Sequence, residues 1–345
     1  MSSATPISIV GLAGCTSLGY ALAPTLAAMG AGLSNFSDTG LKNPFGTAVM
    51  AASLLDRDLP RILRLRGLVA IALIDLRELL AAAGVEEAPL MLGVPSDVDD
   101  DEQVAVNEEL SKEAFIRSRI TWFPHGRAST FPALAGAMHL LERGAHRFVI
   151  VGGLDSLCAQ HTVHRLVQFE RVMGPHTEGM IPGEAAVFAL LSRSDDPATD
   201  STRAVRLEAV AQHRSAVPFT QRDRVSGDDL ATAFRAFREA GSPRVERVIA
   251  AHSGEGYFAH SFAHAYLREV EIMPEPLEME LVADCVGDVG AAAGTLGLAF
   301  AMYRMVTQPR GARGRALIYS ESDTGEVGAA IIEGAPTSWE RRTAG

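Results

Sequence analysis

The sequence predicts a layered α/β protein built from two similar halves, and three observations carry that prediction. Short apolar strands and helices follow the same order in each half of the chain. One helix per half is rich in Ala and Gly and apolar nearly all round, so it has to be covered on every side. A polar, proline-containing stretch, residues 192–203, divides the chain close to its middle. The expected units are residues 1–195 and 203–345, each burying one helix between other layers.

In the first half, residues 89–95 are a short apolar run bounded by prolines, which suits a buried strand. The Ala-rich helix follows at 126–141, then a strand at 146–151, a Gly-rich turn and a strand at 185–191. The second half repeats this order with a strand at 247–251, the helix at 287–305, a strand at 315–319 and its hairpin partner at 328–333. Between the first strand and helix, residues 96–103 are crowded with carboxylates. Counted from Asp97, a calcium loop needs Gly at its sixth position and has Glu102 there, so these acids are expected to line a solvated loop and cap a helix.

With 345 residues the chain can bury a large core, and its net charge of −11 argues against nucleic acid and anionic membrane as partners. Cys15, Cys158 and Cys285 are widely spaced with no CxxC pair, which predicts free thiols in a reducing compartment, the cytoplasm. No basic residue precedes the first apolar stretch, so no secretory signal is expected. Nor is any apolar run long enough to span a membrane. Gly11, Gly14 and Gly19 miss the dinucleotide spacing, and His260 and His264 lack the glutamate of a zinc helix. No cofactor and no metal are therefore expected.

Four segments carry a family resemblance: residues 7–19, Val151-Gly-Gly-Leu-Asp-Ser156, Ile181-Pro-Gly-Glu-Ala-Ala186 and Asp288-Val-Gly-Ala-Ala-Ala-Gly294. In this order, with the duplication, the chain resembles the thiolase superfamily and, within it, the β-ketoacyl (condensing) synthases. The resemblance implies a thiolase-like αβαβα layered fold with two pseudo-duplicated halves, pairing as a dimer through strand 148–151. It also implies where the catalytic groups belong. The nucleophilic cysteine falls on Arg127, and a slip of one or two residues reaches Ala128 or Ser129, never a cysteine. The first catalytic histidine is matched by His252 in His252-Ser-Gly-Glu-Gly256. Asp288 replaces the second histidine, Cys285 the asparagine before it, and Ala283 the upstream lysine. Ser322-Asp-Thr-Gly325 matches the C-terminal gatekeeper turn.

These replacements bear on the chemistry. An arginine stays protonated and accepts no acyl group. An aspartate repels the oxyanion that a histidine N–H would hold, and losing one such donor costs about 2.7–4 kcal/mol. The expected function is a ketosynthase-like protein that has lost decarboxylative condensation and binds a protein partner or an acyl ligand. The alternative is altered acyl chemistry through Ser129, Cys285 or His252. Against that alternative, Ser129 reads better as a helix cap and Cys285 as a buried thiol. Arg127 and Asp288 begin the two pseudo-equivalent helices, beside His125, Glu255 and Cys285, and two arrangements are open: they pair across the cleft, or each faces water in an enlarged cleft. Arg61, Arg64, Arg66, Arg117 and Arg119 give local positive charge, read as a solvated surface or, by the resemblance, a dock for an acyl carrier protein. The chain is also similar to short, degenerate thiolase-like proteins found beside type VI secretion genes. Expected partners are thus a second copy or a related synthase, with an acyl carrier protein or a secretion-system component as a further possibility.

Overall fold

The computed structural model describes residues 6–116, 120–175, 177–196, 205–215, 217, 219, 225–307 and 314–334. The first half runs β1 (Ile7–Thr16), α1 (Leu22–Gly30), β2 (Ser37–Lys42), β3 (Ala48–Ala51), α2 (Arg61–Ala83), β4 (Leu90–Gly93), α3 (Asp100–Leu110), β5 (Ile120–Phe123), α4 (Thr130–Glu142), β6 (Phe148–Ser156), α5 (Gln160–Gln168) and β7 (Glu184–Arg193). The second runs β8 (Val205–Arg214), α6 (Asp228–Glu239), β9 (Arg247–Ala250), α7 (Gly256–Arg268), β10 (Met279–Leu281), α8 (Ala283–Val286), α9 (Ala293–Thr307), β11 (Arg315–Glu321) and β12 (Glu326–Gly334).

The duplication is explicit in the sheet. Five strands of the first half lie in the order β1-β7-β6-β4-β5 and five of the second in the order β8-β12-β11-β9-β10. Each set places its first strand beside its last, and the directions match as well. The β1–β7 and β7–β6 pairs are antiparallel, like β8–β12 and β12–β11, while β6–β4 and β4–β5 are parallel, like β11–β9 and β9–β10. The two sets join where Ile7–Ile9 of β1 pairs with Val205–Leu207 of β8. Strands β6 and β7 are buried almost throughout, which is why they read as continuous apolar runs rather than alternating ones.

Helices α4 and α9 form the middle layer. Phe131, Leu134, Leu296 and Leu298 pack against Val149, Val151 and Val187 on one side and Ile249, Ile318 and Ile332 on the other. On the outer face of the first half, Leu68, Leu73 and Leu76 of α2 cover Leu92, Ile150 and Phe188. On the second, Phe234, Phe237 and Phe262 of α6 and α7 cover Val248, Leu317 and Ile331. Five layers result, helix–sheet–helix–sheet–helix, because the middle helices need apolar neighbours on both sides. Where α4 and α9 meet, Thr130 and Thr295 hydroxyls lie 3.0 Å apart, and a Cβ on Gly294 would come within 2.7 Å of Thr130. A larger residue at 294 would push the helix starts apart.

Three expectations need adjustment. Strand 148–151 cannot be a pairing edge, because β6 is hydrogen-bonded to β7 on one side and β4 on the other; among the described residues the edge strand of that half is β5, Ile120–Phe123. Both buried helices start later than their apolar runs, each preceded by a 3₁₀ turn, Gly126–Ser129 and Gly290–Ala292. In the expected linker, residues 192–193 end β7, residues 194–196 follow it, and 197–203 lie outside the described residues. The acidic loop does cap α3: Asp99 accepts the Glu102 N–H at 2.8 Å and Glu102 accepts the Asp99 N–H at 3.3 Å.

Candidate functional site

The site forms where the starts of α4 and α9 face each other. Gly126 adopts a positive φ of 58°, which turns the chain into the 3₁₀ segment carrying Arg127. Asp288 is fixed by its own backbone, its N–H donating to Ile181 O at 2.7 Å and its carbonyl accepting from Gly183 N at 2.8 Å. The Ile181-Pro-Gly segment thereby sets the height of the carboxylate. Its Oδ1 accepts the Gly290 N–H at 3.0 Å, so Asp288 caps the turn leading into α9, where negative charge belongs.

The two side chains meet. Arg127 Nε and Nη2 lie 2.8 and 2.7 Å from Asp288 Oδ2, and both residues are buried. The remaining Nη1 donates to Asp323 Oδ1 at 2.6 Å. Asp323 in turn accepts from Arg171 Nη1 at 2.6 Å, and Arg171 grips Glu255 through Nε at 2.7 Å and Nη2 at 2.6 Å. Ser253 donates to the same Glu255 at 2.7 Å. Burial works against the Arg127 charge, but Asp288 and Asp323 outweigh it and hold the group protonated. Burial likewise works against the Asp323 carboxylate, and Arg127 and Arg171 outweigh it, keeping its carboxyl well below the usual range. Every charge in the chain Asp288–Arg127–Asp323–Arg171–Glu255 has an opposite neighbour, as buried charge requires.

His252 is spent on its surroundings. Its Nδ1 contacts the Ser253 carbonyl, which only accepts, so Nδ1 carries the proton; Nε2 then accepts from the Tyr319 hydroxyl at 3.0 Å. The ring stacks on Phe258, and burial pushes its pKa down to about 4. A neutral imidazole with this tautomer offers no N–H to a developing oxyanion.

The other candidates occupy more ordinary places. Ser129 is fully buried, accepts the His125 N–H at 3.1 Å and donates to Val94 O at 3.2 Å. It makes no cap bond to α4, so it pins the entry loop rather than capping the helix. Cys285 faces the central core, not the cleft, with its thiol 3.9 Å from Met29 O among Val282 and Val286. Burial raises the Cys285 thiol, as it does Cys158 and Cys15, the last to about 12. His125 stands at the rim, its ring 3.7 Å from Glu326, while its carbonyl is held by the Ser322 hydroxyl. Glu255 belongs to the charged network. His260 and His264 are exposed on α7.

What remains open is a polar cleft of about 130 Å³ beside the Arg127 pair, lined among others by Arg61, Asp97, Asp155, Arg165 and Asp323. Asp155 lies at its base, accepting N–H groups from Ser156 and Ala291 at 2.7 and 2.9 Å. Burial pushes its pKa up to about 7, against the pull of Arg61. The expected basic surface is not free. Arg64 is fully buried on Glu184 at 2.8 Å, Arg61 is buried on Asp97 at 2.7 Å, and Arg66 meets Glu109 at 3.1 Å. Arg117 and Arg119 lie outside the described residues.

Sequence reasoning named Arg127, Asp288, His252 and Glu255 but missed the roles of Arg171 and the Asp323 side chain. Asp323 lies inside the Ser322-Asp-Thr-Gly325 turn matched to the gatekeeper, and the signal was that this turn keeps only the last glycine of the family's Gly-Phe-Gly-Gly. Arg171, between Glu170 and Val172, belongs to no motif.

No family model and no curated protein sequence matches the chain. Solved structures do. An oxazolomycin ketosynthase domain of Streptomyces albus superposes with a TM-score of 0.74 at 15% identity, covering 96% of this chain and 76% of its own. A ketosynthase from the bacillaene synthase of Bacillus subtilis gives 0.72 at 12% identity, over 95% and 72%. A ketosynthase solved with its chain length factor, from Xenorhabdus doucetiae, gives 0.71 at 16% identity, over 97% and 99%. The chain has the thiolase-like fold of ketosynthases.

Proposed function

We propose that this ketosynthase-like chain has lost decarboxylative condensation and acts by binding. One observation carries the reading: Arg127 is locked to Asp288 at 2.7–2.8 Å, and these are the positions that the family resemblance matches to the nucleophile and the second histidine. Condensation needs an acyl acceptor and N–H donors aimed at an oxyanion. Here the acceptor position carries a guanidinium, one donor position carries a carboxylate, and His252 accepts from Tyr319 where it would have to donate. None of Ser129, Cys15, Cys158 and Cys285 is exposed enough to replace the nucleophile.

The partner we favour is another synthase-fold subunit, identical or related, joined along the β5 edge. Similar structures include a ketosynthase in complex with its chain length factor and an acyl carrier protein in complex with its ketosynthase. Strand β5, Ile120–Phe123, has β4 on one side and no strand on the other among the described residues, which favours strand addition. An acyl ligand or a carrier protein is the second class of binding partner.

Intact mass after incubation with a panel of acyl-CoA and acyl-carrier thioesters, run alongside recovery of co-purifying proteins, tests the reading. An unchanged mass with a synthase-fold partner recovered supports it. A covalent acyl adduct on Ser129 or any cysteine overturns it.

A further inference from the structure

Asp323 is the outlying member of the charged network. Its side chain is 33% exposed, against 6% for Arg127 and 15% for Arg171, yet both of its oxygens are held by guanidinium groups. Oδ1 receives Arg127 Nη1 at 2.6 Å and Arg171 Nη2 at 3.2 Å, while Oδ2 receives Arg171 Nη1 at 2.6 Å.

Neither arginine needs Asp323 to stay in place. Arg127 is held from behind by Asp288 and lies 5.2 Å over the Phe258 ring. Arg171 is held by two bonds to Glu255 and lies 4.9 Å over Phe219. The two rings stack on each other at 5.4 Å and 22°, fixing the spacing of the cations above them. Two guanidiniums fixed in advance at the spacing of one carboxylate make a receptor for carboxylates, because little ordering remains to be done on binding.

Asp323 fills that receptor from the turn Ser322–Gly325, and side-chain rotation alone vacates it. The turn has bonds of its own, Ser322 N to Glu326 O at 2.8 Å, Gly325 N to Ser322 O at 3.0 Å and Ala128 N to the Ser322 hydroxyl at 2.9 Å.

We propose that Arg127 and Arg171 form a carboxylate-binding clamp with Asp323 as its resident ligand, and that a small monocarboxylate from solution takes the place of Asp323. This deepens the reading of the site as one that binds rather than condenses, and rests on it. The probe is sodium formate, compared with sodium chloride at equal ionic strength on the full chain, with unfolding temperature as the readout. Asp323→Ala unfolds at a lower temperature than the wild type and recovers in formate with saturation; the wild type, where Asp323 competes at high local concentration, responds about tenfold more weakly. Adding Arg171→Met to Asp323→Ala abolishes the response. Equal effects of formate and chloride on Asp323→Ala overturn the clamp. Should that variant not fold in chloride, soluble yield decides: folded protein in formate alone supports the clamp, and equal failure in both salts overturns it. A formate-insensitive variant without an acyl adduct on the wild type removes the clamp and leaves the non-condensing reading standing. An acyl adduct removes that reading instead.

Discussion

Arg127 and Asp288, 161 positions apart in sequence, meet on one carboxylate oxygen, through an Nε–H hydrogen bond of 2.8 Å and an Nη2 ion-pair contact of 2.7 Å. Each begins the run into a buried helix, so the pair spans the pseudo-twofold relation between the halves. Arginine at a helix start opposes the dipole, and the carboxylate opposite offsets that cost. Both charges are desolvated, so the pair fills its part of the cleft without guaranteeing net stability.

Removing one partner is therefore expected to cost far more than removing both. Asp288→Ala leaves Arg127 buried with Asp323 alone and should lose about 3–5 kcal/mol in urea unfolding. Arg127→Met combined with Asp288→Leu should recover most of that loss. Additive losses in the double variant would show that the two residues act separately.

Two buried groups set opposing pH dependences. His252 titrates near about 4 in the folded chain against an ordinary 6.5, so the unfolded state binds more protons between these values and stability falls as the pH drops through them. Asp155 titrates near about 7 against an ordinary 3.8, so its contribution is complete below 3.8 and is lost as the pH rises toward 7. Over the shared window the two largely cancel. His252→Gln should unmask stability that falls with rising pH, and Asp155→Asn stability that rises, each with a slope of at most about 1.4 kcal/mol per pH unit. Urea unfolding across about pH 4.5 to 6.5 separates the two signs.

The β5 edge gives a third expectation. Thr121 lies in that strand, beside β4 and with no strand beyond it among the described residues. A lysine there opposes strand addition. Thr121→Lys should shift the sedimenting species toward the single chain at fixed concentration while leaving the far-UV circular dichroism unchanged. An unshifted assembly places the partner elsewhere.

Much of this was readable before the structure. The repeated element order anticipated the matching strand orders, since strands buried on both faces and helices buried all round leave a strong apolar signature. The match of Asp288 to a histidine turn offered its meeting with Arg127 as one of two arrangements, and the structure has the pair. Other features depend on contacts that no local pattern encodes. Which strand lies at an edge is a matter of pairing, and β6 resembles any other buried strand until β4 and β7 flank it. The proton on His252 Nδ1 follows from the Ser253 carbonyl and Tyr319, the latter 67 residues away. Arg61, Arg64 and Arg66 read as surface because arginine usually is, yet Arg64 is fully enclosed by Glu184, Ser53 and the Asp56 carbonyl.

The most direct test of the closed site is release of carbon dioxide from malonyl-CoA and a malonyl-carrier thioester, with and without an acyl thioester acceptor. Release at the rate of buffer alone, unchanged in Arg127→Ala and His252→Gln, is the predicted result. Catalysed release that disappears in either variant would show a working condensation site and contradict the account.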